Sequence, residues 1–255
     1  MLVTASEIIE QSWGLYTKNF RRLGVFMFFM FIPTVILSAL GILGIYLDSL
    51  LPNSAMLSNI VLLFLFFVSV IFTLWTGIAL AHEIKQLLEG GGASWKQLYN
   101  TTTHLIWPSI YTSILVGLVV LGGSLLFIIP GVIFTVWYAF SNYAVIFDEK
   151  RGLSAMRASK GLVVGQWWGM LWRLFVPPLF FILVTLVVRS IFFVPFSYLF
   201  SSQVALSIFT SFVSSLVNAL VTPLTMATII ILFQSAKKNP LPSIPMSTPA
   251  QPPRA

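Results

Sequence analysis

The feature that most constrains this chain is the length of its uncharged segments. Asp, Glu, Lys and Arg are missing from five long runs, at 23–47, 49–81, 97–147, 174–188 and 190–236. Apolar runs separated by short charged clusters are typical of helical membrane proteins. Only 8% of the residues are charged, against about 25% in an ordinary soluble domain, so the chain lacks the polar surface that water requires. We therefore predict an all-α polytopic membrane protein.

About six transmembrane helices are expected within a membrane domain at 1–235. The run 97–147 is too long for one crossing of a ~30 Å hydrocarbon core, so it should contain two spans. Pro130-Gly131 is the natural hairpin turn between them, because proline removes a helix hydrogen bond and glycine permits a tight turn. The predicted spans are 23–46, 60–81, 107–129, 132–147, 171–189 and 205–233.

Three amphipathic segments precede the odd-numbered spans, at 6–22, 94–103 and 154–169, and are predicted to be interfacial helices. In the first, Thr4 and Glu7 fit a capping box. An apolar stripe follows in that segment at Ile9, Trp13, Tyr16 and Phe20. In the fifth span, Pro177-Pro178 should kink or break the beginning of the helix.

The distribution of Lys and Arg predicts the orientation. This assignment of spans places 13 of the 14 basic residues on one side and only Arg189 on the other, so both termini should be cytoplasmic. Arg173 and Arg189 are expected to snorkel to opposite interfaces of the fifth span. The Pro-rich segment 236–255 has too few large apolar residues to form a core, and we predict a disordered tail.

Composition and motifs exclude several classes of function. The chain has no cysteine, which rules out disulfides, thiolate metal sites and a cysteine nucleophile. The net charge is +7, and the basic residues lie beside apolar spans. Interaction with a charged membrane surface therefore accounts for them better than nucleic-acid binding does. His82-Glu83 resembles the start of a zinc-protease motif, but Gln86 replaces the second histidine, and His104 has no partner by spacing. We therefore expect no catalytic residues, no metal site and no cofactor.

Two groups of residues are candidate sites near 148–169. Lys150, Arg151, Arg157 and Lys160 would bind anionic lipid headgroups or a protein partner, although a positive-inside bias alone also explains them. Gly161, Gly165 and Gly169 would lie on one helix face and allow close packing, and a flexible interfacial loop is the competing interpretation.

The acidic pair Asp148-Glu149 lies beside the basic group, at the end of the fourth span. It is expected to pair with Lys150, Arg151 or Arg157.

Three stretches of the chain resemble a family of bacterial membrane domains that are attached to some glycerophosphoryl diester phosphodiesterases. They also resemble related six-span inner-membrane proteins that are uncharacterised. The stretches are 6–20, which contains Ser-Glu-Ile-Ile, then 129–137, which contains Ile-Pro-Gly-Val, and 155–167, which contains Ala-Met-Arg-Ala-Ser. The resemblance implies an all-helical body in a bacterial inner membrane. It does not imply phosphodiesterase activity, because in the longer relatives that activity belongs to a separate soluble barrel of roughly 250 residues.

Two functions are compatible with these observations. The first is a non-catalytic scaffold or accessory protein whose cytoplasmic face engages anionic lipid or a protein partner. The alternative is a small-solute transporter or channel, because Pro130-Gly131 interrupts a helix as in some transporters. The oligomeric state is left open.

Overall fold

The computed structural model describes residues 2–50, 55–199 and 202–239, and in that part of the chain every regular element is helical. The ten α-helices of this part are α1 Ala5–Lys18, α2 Phe20–Leu50, α3 Ala55–Leu88, α4 Trp95–Thr102, α5 Ile106–Leu126, α6 Ile128–Tyr138, α7 Ser141–Asp148, α8 Leu153–Val163, α9 Trp167–Leu199 and α10 Gln203–Lys238. A 3₁₀ turn at Thr103–Leu105 joins α4 to α5. The predicted tail beyond residue 239 and the loop at 51–54 lie outside the described residues.

Six segments of the described part are long and apolar enough to cross a membrane, which confirms the predicted fold class. They are Phe20–Gly41, Asn59–Leu88, Trp95–Leu126, Ile128–Asp148, Trp167–Phe196 and Ala205–Lys238. Large apolar side chains cover their outer surface, as at Leu118, Leu125 and Ile128, which are all more than half exposed. Lipid is the solvent that such a surface requires.

Most of the charged residues lie at one end of the helical bundle, which we call the basic end. Val3 N donates to Ser235 Oγ at 3.1 Å, and Lys237 pairs with Asp148, so both ends of the described chain lie beside α7. Arg22 Nη1 lies 3.8 Å from Glu83 Oε1, which brings the start of α2 to the same end. The basic end thus comprises α1, α4, α8 and the adjoining ends of the long helices.

Helix α1 begins with the predicted capping box. Glu7 N donates to Thr4 Oγ1 at 3.3 Å, and Thr4 N donates to Glu7 Oε2 at 2.8 Å. The helix contacts α9 and α10, and its buried side chains are those of Ile8, Ser12 and Leu15. The predicted stripe lies beside this buried face: Ile9 and Tyr16 are half-buried and Tyr16 packs on the core, whereas Trp13 is 54% exposed and turned outward.

The hairpin between the third and fourth spans turns at Phe127, not at Pro130-Gly131 as predicted. Phe127 has extended backbone angles, and α6 begins at Ile128. Pro130 falls in the first turn of α6, where a missing N–H costs no helix bond. Gly131 is instead a packing position, because a Cβ there would lie 2.1 Å from Ser124 Oγ and 3.0 Å from Ser124 Cα on α5.

The three glycines at 161, 165 and 169 do not share a helix face, so that prediction is wrong. Helix α8 ends at Val163, Gly165 has φ +93°, and α9 begins at Trp167. Glycine adopts positive φ without steric cost, which is why the turn forms there. No atom lies within 4 Å of a Cβ built on Gly161, and the nearest atom to one on Gly169 belongs to Arg173 of the same helix.

A break between α6 and α7 was not predicted, because neither proline nor glycine marks it. Ser159 of α8 bridges the break: its Oγ donates to Trp137 O at 2.7 Å and accepts from Phe140 N at 3.0 Å. By contrast, α9 continues through Pro177 and Pro178, so the proline pair does not break the helix, and the alternative of a kink stays a prediction.

Candidate binding cavity between the membrane helices

A cavity of about 450 Å³ lies between α2, α3, α5, α7 and α10. Its apolar walls include Met30, Leu74 and Ile146. Every polar residue that lines it is neutral and carries a hydroxyl or an amide: Thr34, Thr73, Ser109, Ser113, Asn142, Tyr143, Ser215, Asn218 and Thr222. The cavity therefore combines an apolar shape with several hydrogen-bonding positions, as ligand sites usually do.

The cavity reaches well into the membrane-spanning part of the bundle. The ion pair between Asp148 and Lys237 marks the level of the basic end. At ~1.5 Å per helical residue, Asn142 lies about 9 Å and Asn218 about 28 Å from that level along their helices. The polar lining thus extends from near the basic end through most of a ~30 Å hydrocarbon core.

Ser109 supplies an unpartnered hydroxyl to this cavity. The residue is 5% exposed, and no described atom forms a hydrogen bond with its Oγ. Thr112, three residues later on α5, is equally buried, but its Oγ1 accepts from Gly152 N at 2.9 Å. A buried hydroxyl without a partner is costly, so Ser109 has the unsatisfied hydrogen-bonding capacity that a polar molecule in the cavity would use.

A side-chain pair connects α5 and α7 at the cavity wall. Asn142 Nδ2 donates to Ser113 Oγ at 2.9 Å, and Ser113 Oγ lies 3.2 Å from Asn142 Oδ1. Asn142 is exposed and Ser113 is half-buried, so the cavity opens at Asn142 on this side of the bundle.

The fifth span does not end at Arg189 as predicted, because its apolar segment continues to Phe196. The snorkelling of Arg173 and Arg189 to opposite interfaces stays a prediction. Helix α9 continues for ten residues beyond Arg189, to Leu199, and Ile191, Phe192 and Phe193 in that extension are apolar. The guanidinium is turned toward α10, where Nη2 donates to Asn218 Oδ1 at 2.7 Å and to Ser214 O at 3.3 Å. A cationic side chain therefore lies within the span, next to a residue that lines the cavity.

Sequence reasoning missed the polar face of α10, although the signal was present. Ser215, Asn218 and Thr222 are spaced three and four residues apart, which places them on one side of a helix. The same spacing relates Ser109 to Ser113 on α5. These residues were overlooked because they carry no charge and form no catalytic or metal-binding motif.

The two histidines lie near the basic end and outside the cavity. The His82 ring is 5.7 Å from the Phe147 ring, and its Nδ1 is buried without a hydrogen-bond partner. His82 and His104 are close enough to interact electrostatically. Among the described residues, no group of three His, Asp or Glu side chains is arranged to hold a metal ion.

The predicted basic site divides into two kinds of residue. Lys150, Arg151 and Arg157 are exposed, whereas Lys160 Nζ lies 4.1 Å from the centre of the Trp137 ring and makes a cation–π contact. The predicted partner of Asp148 is wrong: its carboxylate pairs with Lys237 of α10 instead of a neighbouring cation. Helix packing brings these two side chains together across 89 residues of sequence.

Comparison with known proteins leaves the geometry as the main guide to function. The sequence matches no protein-family model, and no curated protein or solved structure is significantly similar to it.

Proposed function

We propose that this multi-pass membrane protein binds a small, uncharged polar solute in the cavity and carries it across the membrane. The observation behind the proposal is the row of nine neutral polar side chains that lines a cavity of about 450 Å³. Polar groups are costly within a bilayer unless they find hydrogen-bond partners. Because the polar side chains lie around one cavity and Ser109 has no described partner, we infer that a ligand supplies the missing hydrogen bonds.

The lining favours an uncharged ligand because the described residues that form it include no carboxylate, lysine or arginine. Hydroxyl and amide side chains provide both donors and acceptors, and no histidine or carboxylate is placed there for proton transfer. We accordingly propose a carrier or channel without catalytic activity or a cofactor.

The proposed setting is the inner membrane of a bacterium, with the basic end in the cytoplasm. The family resemblance supports the first part, and the accumulation of Lys and Arg at the basic end supports the second. In this orientation Asn142 lies toward the cytoplasmic side of the cavity and Ser215 toward its far side.

Substituted-cysteine labelling tests whether water reaches the cavity. Because the natural chain has no cysteine, single variants Ser113→Cys, Ser215→Cys and Thr222→Cys provide one reactive thiol each. We expect all three to react with a charged methanethiosulfonate reagent in proteoliposomes. Leu216→Cys is the matched control, since it neighbours Ser215 on α10 but faces outward and is 41% exposed. Failure of all three cavity thiols to react would contradict a water-filled pathway.

Solute flux tests transport itself. Proteoliposomes containing the full chain should swell faster than empty liposomes when glycerol or urea is the permeating solute, as followed by light scattering. Gly77→Leu should abolish this difference, because Gly77 lines the cavity and a Cβ there already approaches Met30 and Met226 within about 4 Å. Gly117→Leu is the control, since no atom lies within 4 Å of its Cβ position. Equal swelling of all samples would contradict transport of these solutes.

A second candidate function is docking of anionic lipid or a protein partner at the basic end. It is favoured by the exposure of Lys150, Arg151 and Arg157, which lie close together in the chain. Their combined replacement by glutamine should reduce the phosphatidylglycerol that co-purifies with the protein, as measured by native mass spectrometry. Lys160→Gln should have a smaller effect because Lys160 contacts Trp137. Unchanged lipid retention in the triple variant would contradict this function.

A further inference from the structure

Arg189 is a cation within a membrane span whose charge has no anionic partner in the described part of the chain. Two ion pairs occur there, Arg22 with Glu83 and Lys237 with Asp148, and both lie at the basic end. The acceptors that Arg189 does have, Asn218 Oδ1 and Ser214 O, are neutral oxygens. A charged side chain at this depth is expensive and is usually paired or functional.

The hydrogen bonds of Arg189 leave part of the guanidinium available. Nη2 makes both contacts with α10, whereas Nε is buried and has no acceptor among the described atoms. A guanidinium presents its donors in a planar fork that matches the oxygens of carboxylates and phosphates. Nε is enclosed by protein, so an oxyanion would contact the guanidinium through its Nη groups and supply the missing negative charge.

A second cavity, of about 330 Å³, lies between α9 and α10, and Arg189 is one of its lining residues. Its polar lining residues besides Arg189 are Ser190, Thr210 and Ser214, and its apolar ones include Phe192 and Phe193. Its lining differs from that of the larger cavity because it contains a cation. It is therefore shaped for an anionic group attached to, or accompanied by, apolar surface.

We propose that Arg189 and this smaller cavity form a binding site for an oxyanion, either a carboxylate or a phosphate. The anion reaches the site as a free ion or as the headgroup of an amphiphile. The site is separate from the proposed solute cavity, although Asn218 belongs to the wall of one and holds the guanidinium of the other. Either site is able to exist without the other.

Equilibrium dialysis of the full chain in phosphatidylcholine nanodiscs tests this site, with inorganic phosphate and octanoate as probes and empty nanodiscs as the background. We expect saturable binding of at least one probe to the wild type and at least tenfold weaker binding to Arg189→Gln. Glutamine removes the charge but keeps a polar amide at about the position of Nε. Arg189→Lys should restore part of the binding, because it restores the charge but not the planar fork of donors.

Arg173→Gln is the matched control, because Arg173 lies on the same helix but its Nε and Nη1 already donate to Val3 O and Gly169 O. It should bind the probes like the wild type. Phosphate binding alone indicates a free-anion site, and octanoate binding alone indicates an amphiphile site; both outcomes support the proposal. No saturable binding to the wild type, or equal binding to Arg189→Gln, would overturn it.

A purely structural role for Arg189 makes a different prediction. In that case Arg189→Gln would lower the thermal unfolding temperature but leave the affinity for the probes unchanged, which also overturns the proposal. The unfolding temperature with and without saturating probe separates the two roles. A binding site requires that the probe stabilise the wild type more than Arg189→Gln.

Discussion

At the scale of single residues, Ser109 and Thr112 differ in one respect that determines the effect of their removal. Both are buried on α5, but only Thr112 has a hydrogen-bond partner. Ser109→Ala removes an unsatisfied hydroxyl and should stabilise the ligand-free protein by about 1 kcal/mol, whereas Thr112→Val should destabilise it by about 1 kcal/mol. Unfolding followed by tryptophan fluorescence in detergent measures both. Destabilisation by Ser109→Ala would show that its hydroxyl has a partner.

The Arg22–Glu83 pair gives a second prediction at this scale. Glu83 is 1% exposed and its Oε2 has no hydrogen-bond partner, so its charge is compensated by Arg22 and by the backbone N–H of Ala93. Arg22→Ala should destabilise the protein by about 2 kcal/mol, less than the ~3–5 kcal/mol for a fully buried pair because Arg22 is half exposed. Chemical unfolding of the variants measures this difference.

The neighbouring Arg21, which is exposed, is the control, and Arg21→Ala should change stability by less than about 0.5 kcal/mol. Adding Glu83→Gln to Arg22→Ala should recover part of the loss, because it removes the uncompensated charge. Equal stability of Arg21→Ala and Arg22→Ala would show that the buried charge of Glu83 does not depend on Arg22.

Sequence reasoning at the residue scale worked for local patterns and failed for distant contacts. The capping box of Thr4 and Glu7 was predicted because both partners lie within one helical turn. The partner of Asp148 was wrong because Lys237 approaches only after α10 has packed against α7. The end of the fifth span was misplaced because α9 extends beyond Arg189 to Leu199, and apolar composition alone does not fix where a helix ends.

At the scale of helices, the hairpin of α5 and α6 depends on glycine at two contact points. A Cβ on Gly131 would lie 2.1 Å from Ser124 Oγ, and one on Gly123 would lie 2.5 Å from the Phe134 ring. Gly131→Ala should therefore destabilise the protein by about 1–3 kcal/mol through overpacking. Gly122→Ala, with no atom within 4 Å of its Cβ, should be neutral or stabilising by up to ~1 kcal/mol. Thermal unfolding in detergent compares the two, and equal effects would contradict close packing at Gly131.

The helices also show which structural features the sequence specifies. Six spans and three short preceding helices were predicted, because hydrophobic length and amphipathic period are properties of contiguous residues. The break between α6 and α7 was missed because Ser159, 19 residues after Phe140, supplies the bond that makes it tolerable. The polar cavity was missed for a related reason: its lining comes from five helices, each of which contributes only a few neutral side chains.

At the scale of the whole molecule, the fold separates two kinds of chemistry. Exposed cations and aromatic side chains such as Trp13 and Trp168 lie near the basic end, where a lipid headgroup region would accommodate both. The neutral cavity and Arg189 lie deeper, toward the middle and far parts of the bundle. Solute binding and docking at the basic end therefore involve different residues, and variants in one region leave the other chemically intact.

The orientation of the molecule has a direct test, because every introduced cysteine is the only one in the chain. Arg157→Cys at the basic end and Phe127→Cys at the opposite hairpin are both exposed positions, with Phe127 74% exposed. If the positive-inside rule sets the topology, a membrane-impermeant maleimide added to spheroplasts should label Phe127→Cys but not Arg157→Cys. Disrupting the membrane should expose both thiols. The reverse labelling in intact spheroplasts would place the basic end outside the cell. The proposed docking at the cytoplasmic face would then be wrong, whereas the transport proposal does not depend on this orientation.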